Sequence, residues 1–253
     1  MDIMKHLVLI AGLILGCNLF AQRPEPDTIP ATDGAISIQP IYHASLVLQW
    51  NGKTIYVDPT RGAEAYAGIP APDIILITDI HGDHTDLNTL RALDTQNAVF
   101  VIPPAVADML KHDFEKQMQI VKNGGIVSLD GILINAMPMY NLPESDDAFH
   151  PRGRGNGYYL KMGGKKLYIS GDTADIKEMR DLKGIDVAFV CMNLPYTMDI
   201  NQAADAVLDF KPKVVYPYHY RGKPDMSDVE AFKKMVNDKN PKIEVRLRNW
   251  YPN

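Results

Sequence analysis

The sequence predicts an α/β fold in which two sheets pack face to face with helices outside. Three observations carry this expectation. Short apolar runs bounded by turn residues recur along the chain. The dipeptides Asn51-Gly52 and Gly163-Gly164 sit between paired runs, as tight hairpins require. Each half of the chain begins with hairpins and passes to strands alternating with helical patterns. No repeat of the solenoid kind accompanies this recurrence.

In chain order, Met1–Ala21 has a weakly positive start, an apolar run Leu7–Leu15 and small residues ahead of Gln22, the layout of a secretory signal. Two processing routes stay open. Cleavage after Ala21 releases a soluble protein, whereas Leu15-Gly16-Cys17 resembles a lipobox that would lipidate Cys17. Either route puts the protein outside the cytoplasm, periplasmic or lipid-anchored. Residues 22–34, with prolines at 24, 26 and 30, read as a linker. Residues 35–253 are then one domain, long enough to bury a full core.

Within that domain, strands are expected at 35–40, 45–50, 54–58, 74–78 and 98–102, then at 126–129, 132–138, 157–162 and 165–170. Further strands follow at 186–190, 213–216 and 243–247. Helices are expected at 86–94, 104–112, 174–182, 201–210 and 227–238, the last opened by a Ser227/Glu230 capping box. Acidic residues outnumber basic ones 31 to 26, and no basic run exceeds two residues. Nucleic-acid binding through a positive face has no support. Cys17 and Cys191 cannot make a disulfide framework, and Cys191, at the end of an apolar run, reads as a small buried hydrophobe.

The chemistry concentrates in Asp79-Ile80-His81-Gly82-Asp83-His84, directly after the apolar strand 74–77. Four metal-capable side chains fall within six residues. Asp79 and His81 can face one ion, and Asp83 and His84, beyond a turn eased by Gly82, a second. Crowded carboxylates and imidazoles are costly without cations to offset them. Asp172, His150 and His219 lie near other strand ends and offer further ligands, while His112, near a helix end, reads as solvated. Arg152 and Arg154 either clamp a phosphate or carboxylate or form a solvated surface pair.

These residues resemble the metallo-β-lactamase fold superfamily. Its motif is His-x-His-x-Asp-His after a strand, then a later His, an Asp in Gly-Asp-Thr and a final His. The matching positions are Asp79, His81, Asp83, His84, His150, Asp172 and His219. Within it, His43-Ala-Ser-Leu, Phe149-His150-Pro151 and Ser170-Gly171-Asp172-Thr173 look most like the L-ascorbate-6-phosphate lactonase branch. The resemblance implies a four-layer αββα sandwich of two mixed sheets. It also implies two divalent ions, one on Asp79, His81 and His150, the other on Asp83, His84 and His219, with Asp172 bridging. A metal-bridging hydroxide would then cleave a lactone, ester, amide or phosphodiester of a small-molecule substrate. Asp83 would orient the nucleophile or pass its proton on, and His43 would lie near the substrate.

Asp79 departs from the motif, which has His there. A carboxylate is harder than an imidazole, so manganese and iron join zinc, the superfamily's default, as expected metals. The departure also leaves room for an exported metal- or ligand-binding protein of the same fold without turnover.

Overall fold

The computed structural model describes residues 23–252. The proposed signal and Cys17 lie outside the described residues. Among the described residues, fourteen strands form two seven-stranded sheets. The first contains β1 (Asp27–Ile29), β2 (Ile36–Tyr42), β3 (Ser45–Trp50), β4 (Lys53–Val57), β5 (Ile74–Leu76), β6 (Val99–Ile102) and β7 (Met118–Ile120), in that spatial order. The second contains β8 (Ile126–Leu129), β9 (Ile132–Met137), β10 (Gly157–Met162), β11 (Lys165–Ile169), β12 (Val187–Cys191), β13 (Val214–Tyr218) and β14 (Glu244–Val245), also in sequence order.

Both sheets share one plan. β1 to β4 pair antiparallel, then β4 to β7 run parallel. β8 to β11 and β11 to β14 repeat this. Parallel neighbours need crossovers. These carry α1 (Leu87–Ala92) and α2 (Pro104–Phe114) in the first half, and α3 (Lys177–Arg180), α4 (Ile200–Phe210) and α5 (Val229–Lys239) in the second. The two mixed sheets with outer helices are the sandwich that the sequence predicts.

Alternation along the strands separates two cores. Ile74 and Leu76 of β5 join the large apolar cluster, which also holds Ile134, Leu160 and Phe189 of the second sheet. Ile75 and Ile77 join a second cluster with Leu90 of α1 and Val106 and Leu110 of α2. Phe100 stacks on Phe114 at 4.8 Å between ring centroids, and truncating it to Ala should cost roughly 3–5 kcal/mol.

Three expectations need correction. Residues 23–34 are not a free linker, because Asp27–Ile29 pairs with Ile36–Ile38 and Trp50 Nε1 donates to the Thr32 carbonyl at 2.7 Å. The cap of α5 is Asp228, whose side chain accepts from the Ala231 amide. Ser227 instead donates to the Met192 carbonyl. A capping box does occur at α4, between Asp199 and Gln202. Gly82 does not have a positive φ; the turn is made by the His84 and Thr85 amides donating to the His81 carbonyl at 2.9 and 2.8 Å.

Candidate metal centre

In each sheet, β4 and β11 are the strands where antiparallel pairing gives way to parallel pairing. Asp58 directly follows β4, and Asp172 lies three residues beyond the end of β11. The segment 79–84 follows β5, His219 follows β13, and His43 follows β2. His150 comes from the long β9–β10 connection.

All seven expected metal-site residues and His43 converge. Asp79, His81 and His150 form one group, and His84, Asp172 and His219 a second. Asp83 stands with His43 and His219 in a third, while its carboxylate is 3.9 Å from His84 Nε2. Asp172 lies at the centre. Its Oδ2 is 3.2 Å from His150 Nε2 and 3.3 Å from His84 Nε2, and its Oδ1 is 3.2 Å from His219 Nε2.

The donor atoms fit a cation-binding role. His150 Nε2 and Asp172 Oδ1 are buried and have no hydrogen-bond partner among the described residues. Buried polar atoms are nearly always satisfied, so such exceptions need a cause. His84 Nε2 and His219 Nε2 face each other at 3.2 Å. His84 Nδ1 is engaged by Asp58 Oδ2 at 2.8 Å, which turns Nε2 toward Asp172 and His219.

Burial works to raise the Asp172 carboxyl, but His219 and His84 outweigh it and hold it well below the usual carboxylate range. Asp79 is also lowered: burial opposes ionisation, while contacts with His81 and Arg154 overcome it. The same contest, with His219 and His43 as the opposing groups, lowers Asp83. The carboxylates therefore stay ionised. Cys191 is buried and its thiol is pushed up to about 11, mainly by burial, so it is no nucleophile at neutral pH.

Two supporting residues escaped sequence reasoning. Asp58 accepts from the Thr78 amide and hydroxyl, both at 2.7 Å, as well as from His84. Its signal was present, an Asp directly after an apolar strand. Tyr251 has its hydroxyl 2.7 Å from His43 Nδ1, and the His43 amide donates to the Trp250 carbonyl at 3.1 Å. The two arginines part company. Arg152 pairs with Glu144 and Glu178, whereas Arg154 binds both oxygens of Asp79.

The backbone at the site is constrained. His43, Asp58 and His219 all have positive φ, at 56°, 44° and 48°, which costs about 1–3 kcal/mol each for residues with a Cβ. Gly171, at φ 61°, precedes Asp172; a Cβ there would lie 2.5 Å from Met139 Sδ. A side chain at 171 would displace the turn that aims Asp172.

A crevice at the strand ends of two mixed sheets, floored by histidines and aspartates, defines a candidate metal centre of the sandwich class. The model of the β-lactamase superfamily domain matches residues 37–219, and the chain belongs to that family, with the metallo-β-lactamase fold. A UPF0173 metal-dependent hydrolase from Pyrococcus abyssi is 32% identical over 215 residues, covering 81% of this chain and 93% of the relative. A crystal structure from Parabacteroides distasonis, assigned as a metal-dependent hydrolase, is 37% identical with a TM-score of 0.79. The match covers 90% of this chain and 99% of that one. The metallo hydrolase Igni18 of Ignicoccus hospitalis is 27% identical with a TM-score of 0.72, covering 86% and 96%. The chain is a metal-dependent hydrolase of this superfamily.

Proposed function

We propose that the enzyme is dinuclear, with Asp79, His81 and His150 holding one divalent ion and Asp83, His84 and His219 the other. Asp172 would serve both. The observation that carries this is the central carboxylate of Asp172, within 3.3 Å of imidazole nitrogens from both groups. Zinc suits the imidazoles, and the carboxylate at 79 keeps manganese and iron in play. When bound, such ions acidify a water and polarise the oxygen under attack, which suits hydrolysis of a lactone, ester, amide or phosphodiester.

The chain's own groups divide the remaining work. Asp58 fixes the orientation of the His84 ring through Nδ1. Asp83, 44% exposed at its side chain, reaches the cavity and can take a proton at a carboxylate oxygen and deliver it to a leaving group. His43 Nε2 lies 3.2 Å from Asp83 Oδ2 and holds it in place, itself anchored by Tyr251. The substrate is a small molecule, since the cavity over these residues is about 380 Å³. A larger depression of about 560 Å³, lined by Arg180, Asp175 and residues of α4 and α5, contains no histidine and offers no such chemistry. Export, by cleavage at Ala21 or lipidation at Cys17, is part of the same proposal and is tested by cell fractionation.

Elemental analysis of protein purified without chelator, combined with a panel of lactones, esters, amides and phosphodiesters, tests the dinuclear reading. Two equivalents of metal and turnover of one class are expected. One equivalent at saturation, or two with no turnover of any class, would overturn it.

A further inference from the structure

The floor of the cavity is rich in carboxylates, yet its mouth carries the opposite charge. Arg221, Gly222 and Lys223 line one part of it, and Phe149 and Tyr196 another. The Arg221 guanidinium lies 4.3 Å from the Tyr251 ring centroid, and its Nη1 donates to the Tyr42 hydroxyl at 2.8 Å. The Lys223 ammonium is 5.7 Å from the Tyr196 ring centroid. Rings and hydroxyls position these cations without neutralising them. Among the described residues, no carboxylate oxygen lies within 4.0 Å of either one. Other arginines differ in their partners: Arg152 has two glutamates, Arg154 has Asp79 and Arg180 has three aspartates, whereas Arg23 bonds backbone carbonyls and Arg61 lies over the Tyr42 ring. What sets Arg221 and Lys223 apart is their place: they flank one glycine at the mouth of the cavity that holds the candidate ligands, in a chain of net charge −5.

The backbone that carries them is pinned. The Arg221 amide donates to the Tyr251 hydroxyl at 2.9 Å, and the Lys223 amide to the Leu194 carbonyl at 2.8 Å. A Cβ on Gly222 would lie 2.2 Å from that same carbonyl oxygen, so only glycine allows the approach. His219, two residues before Arg221, belongs to the metal-site cluster, so the loop sets the cations at a fixed offset from it. A pinned backbone removes part of the ordering cost that a ligand meets.

We infer that Arg221 and Lys223 form an oxyanion-recognising subsite, so that the substrate carries a carboxylate or phosphate group separate from the bond that is cleaved. Its body lies against Phe149 and Tyr196, whose rings meet edge to face at 5.1 Å. Calling the ligand a substrate rests on the hydrolase reading; the subsite itself is a binding property and is tested as one.

The probes are glutarate, adipate and pimelate, each paired with the monocarboxylate of the same chain length. A 6-phosphonohexanoate arm separates phosphate from carboxylate. Calorimetry on the zinc-loaded full chain should give a dianion about tenfold tighter than its monoanion at one length at least. Arg221→Met with Lys223→Met should bring that ratio to one while leaving monocarboxylate affinity and metal content unchanged. Lys223→Glu, which leaves the Arg221 stack intact, should also weaken the dianion selectively. A ratio of one in the wild type at every length, or a ratio that survives in the double variant, would overturn the subsite. If no panel compound is turned over yet the ratio persists, the proposed bond classes fall and the subsite stands. A flat ratio alongside turnover of neutral esters removes the subsite alone.

Discussion

Arg154 holds both carboxylate oxygens of Asp79, Nε on Oδ1 at 3.1 Å and Nη2 on Oδ2 at 2.9 Å. His81 Nδ1 lies 2.9 Å from that same Oδ2. Asp79 is fully buried and the Arg154 side chain is 21% exposed. A carboxylate paired with a guanidinium is neutral overall, as is the imidazole that the superfamily motif has at this position. From sequence alone, Asp79→His should restore the motif and shift preference toward zinc. With Arg154 in place, the same change strands a guanidinium beside His81 and removes its partner. Asp79→His and Arg154→Met are each expected to lose most of the first-position metal, and the double variant to recover it. Elemental analysis and metal titration of the four proteins measure the coupling, expected to be about 1–3 kcal/mol. Additive losses would show that the two residues do not act as a unit.

Asp58 fixes the tautomer of His84 without reaching the cavity itself. Asp58→Asn keeps the shape but replaces the carboxylate that holds the Nδ1 proton. Metal affinity should fall by about 10–100-fold, with the circular dichroism spectrum unchanged. A titration curve that overlays the wild type would remove Asp58 from the metal's support.

Asp172 touches three imidazoles, and His81 is engaged with Asp79. Neither lies within a strand or contributes to the apolar cores. Asp172→Ala and His81→Ala should therefore fold, lose bound metal and lose turnover by several orders of magnitude. Full metal content with near-wild-type rates in either variant would show the ligand assignment to be wrong.

Asp27 ties the two sheets together. Its carboxylate on β1 accepts from the Tyr216 hydroxyl of β13 at 2.7 Å and from Arg248 Nη2 at 2.7 Å. Burial works to raise its carboxyl, but these contacts outweigh it and set the pKa below 3.8. A carboxyl lowered in this way adds stability that is complete above its unfolded value and is lost as pH falls through its folded value. Asp27→Asn should cost about 1 kcal/mol of stability at neutral pH and lower the melting temperature accordingly. The gap should close as pH falls below about 4. Thermal melts of both proteins, stripped of metal, check this; a gap that does not change with pH would mean that the charge plays no part.

Most of the sandwich was legible because its strands announce themselves as apolar runs between turns. β1 and β7 were not. Each is three residues long at a sheet edge, β1 lies among prolines, and Ile120 of β7 is 52% exposed, so neither carries an apolar signature. The ligand candidates were legible because metal chemistry restricts them to few residue types and crowds four of them into 79–84. Their supports were not. Arg154 meets Asp79 across 75 positions and Tyr251 meets His43 across 208, and nothing local distinguishes an arginine bound for a buried carboxylate from one bound for solvent. Arg152 and Arg154 make the point, two positions apart and differently employed.

The residues that brace His43 and Arg221 come from the segment Trp250–Tyr251, whereas every proposed metal ligand is made by residue 219. Trp250 is fully buried and its carbonyl holds the His43 amide, whose own carbonyl accepts from the His219 amide. The last residues of the chain therefore close over a ligand supplied much earlier, and a truncation before Trp250 is expected to disturb metal capture and the substrate-facing wall together.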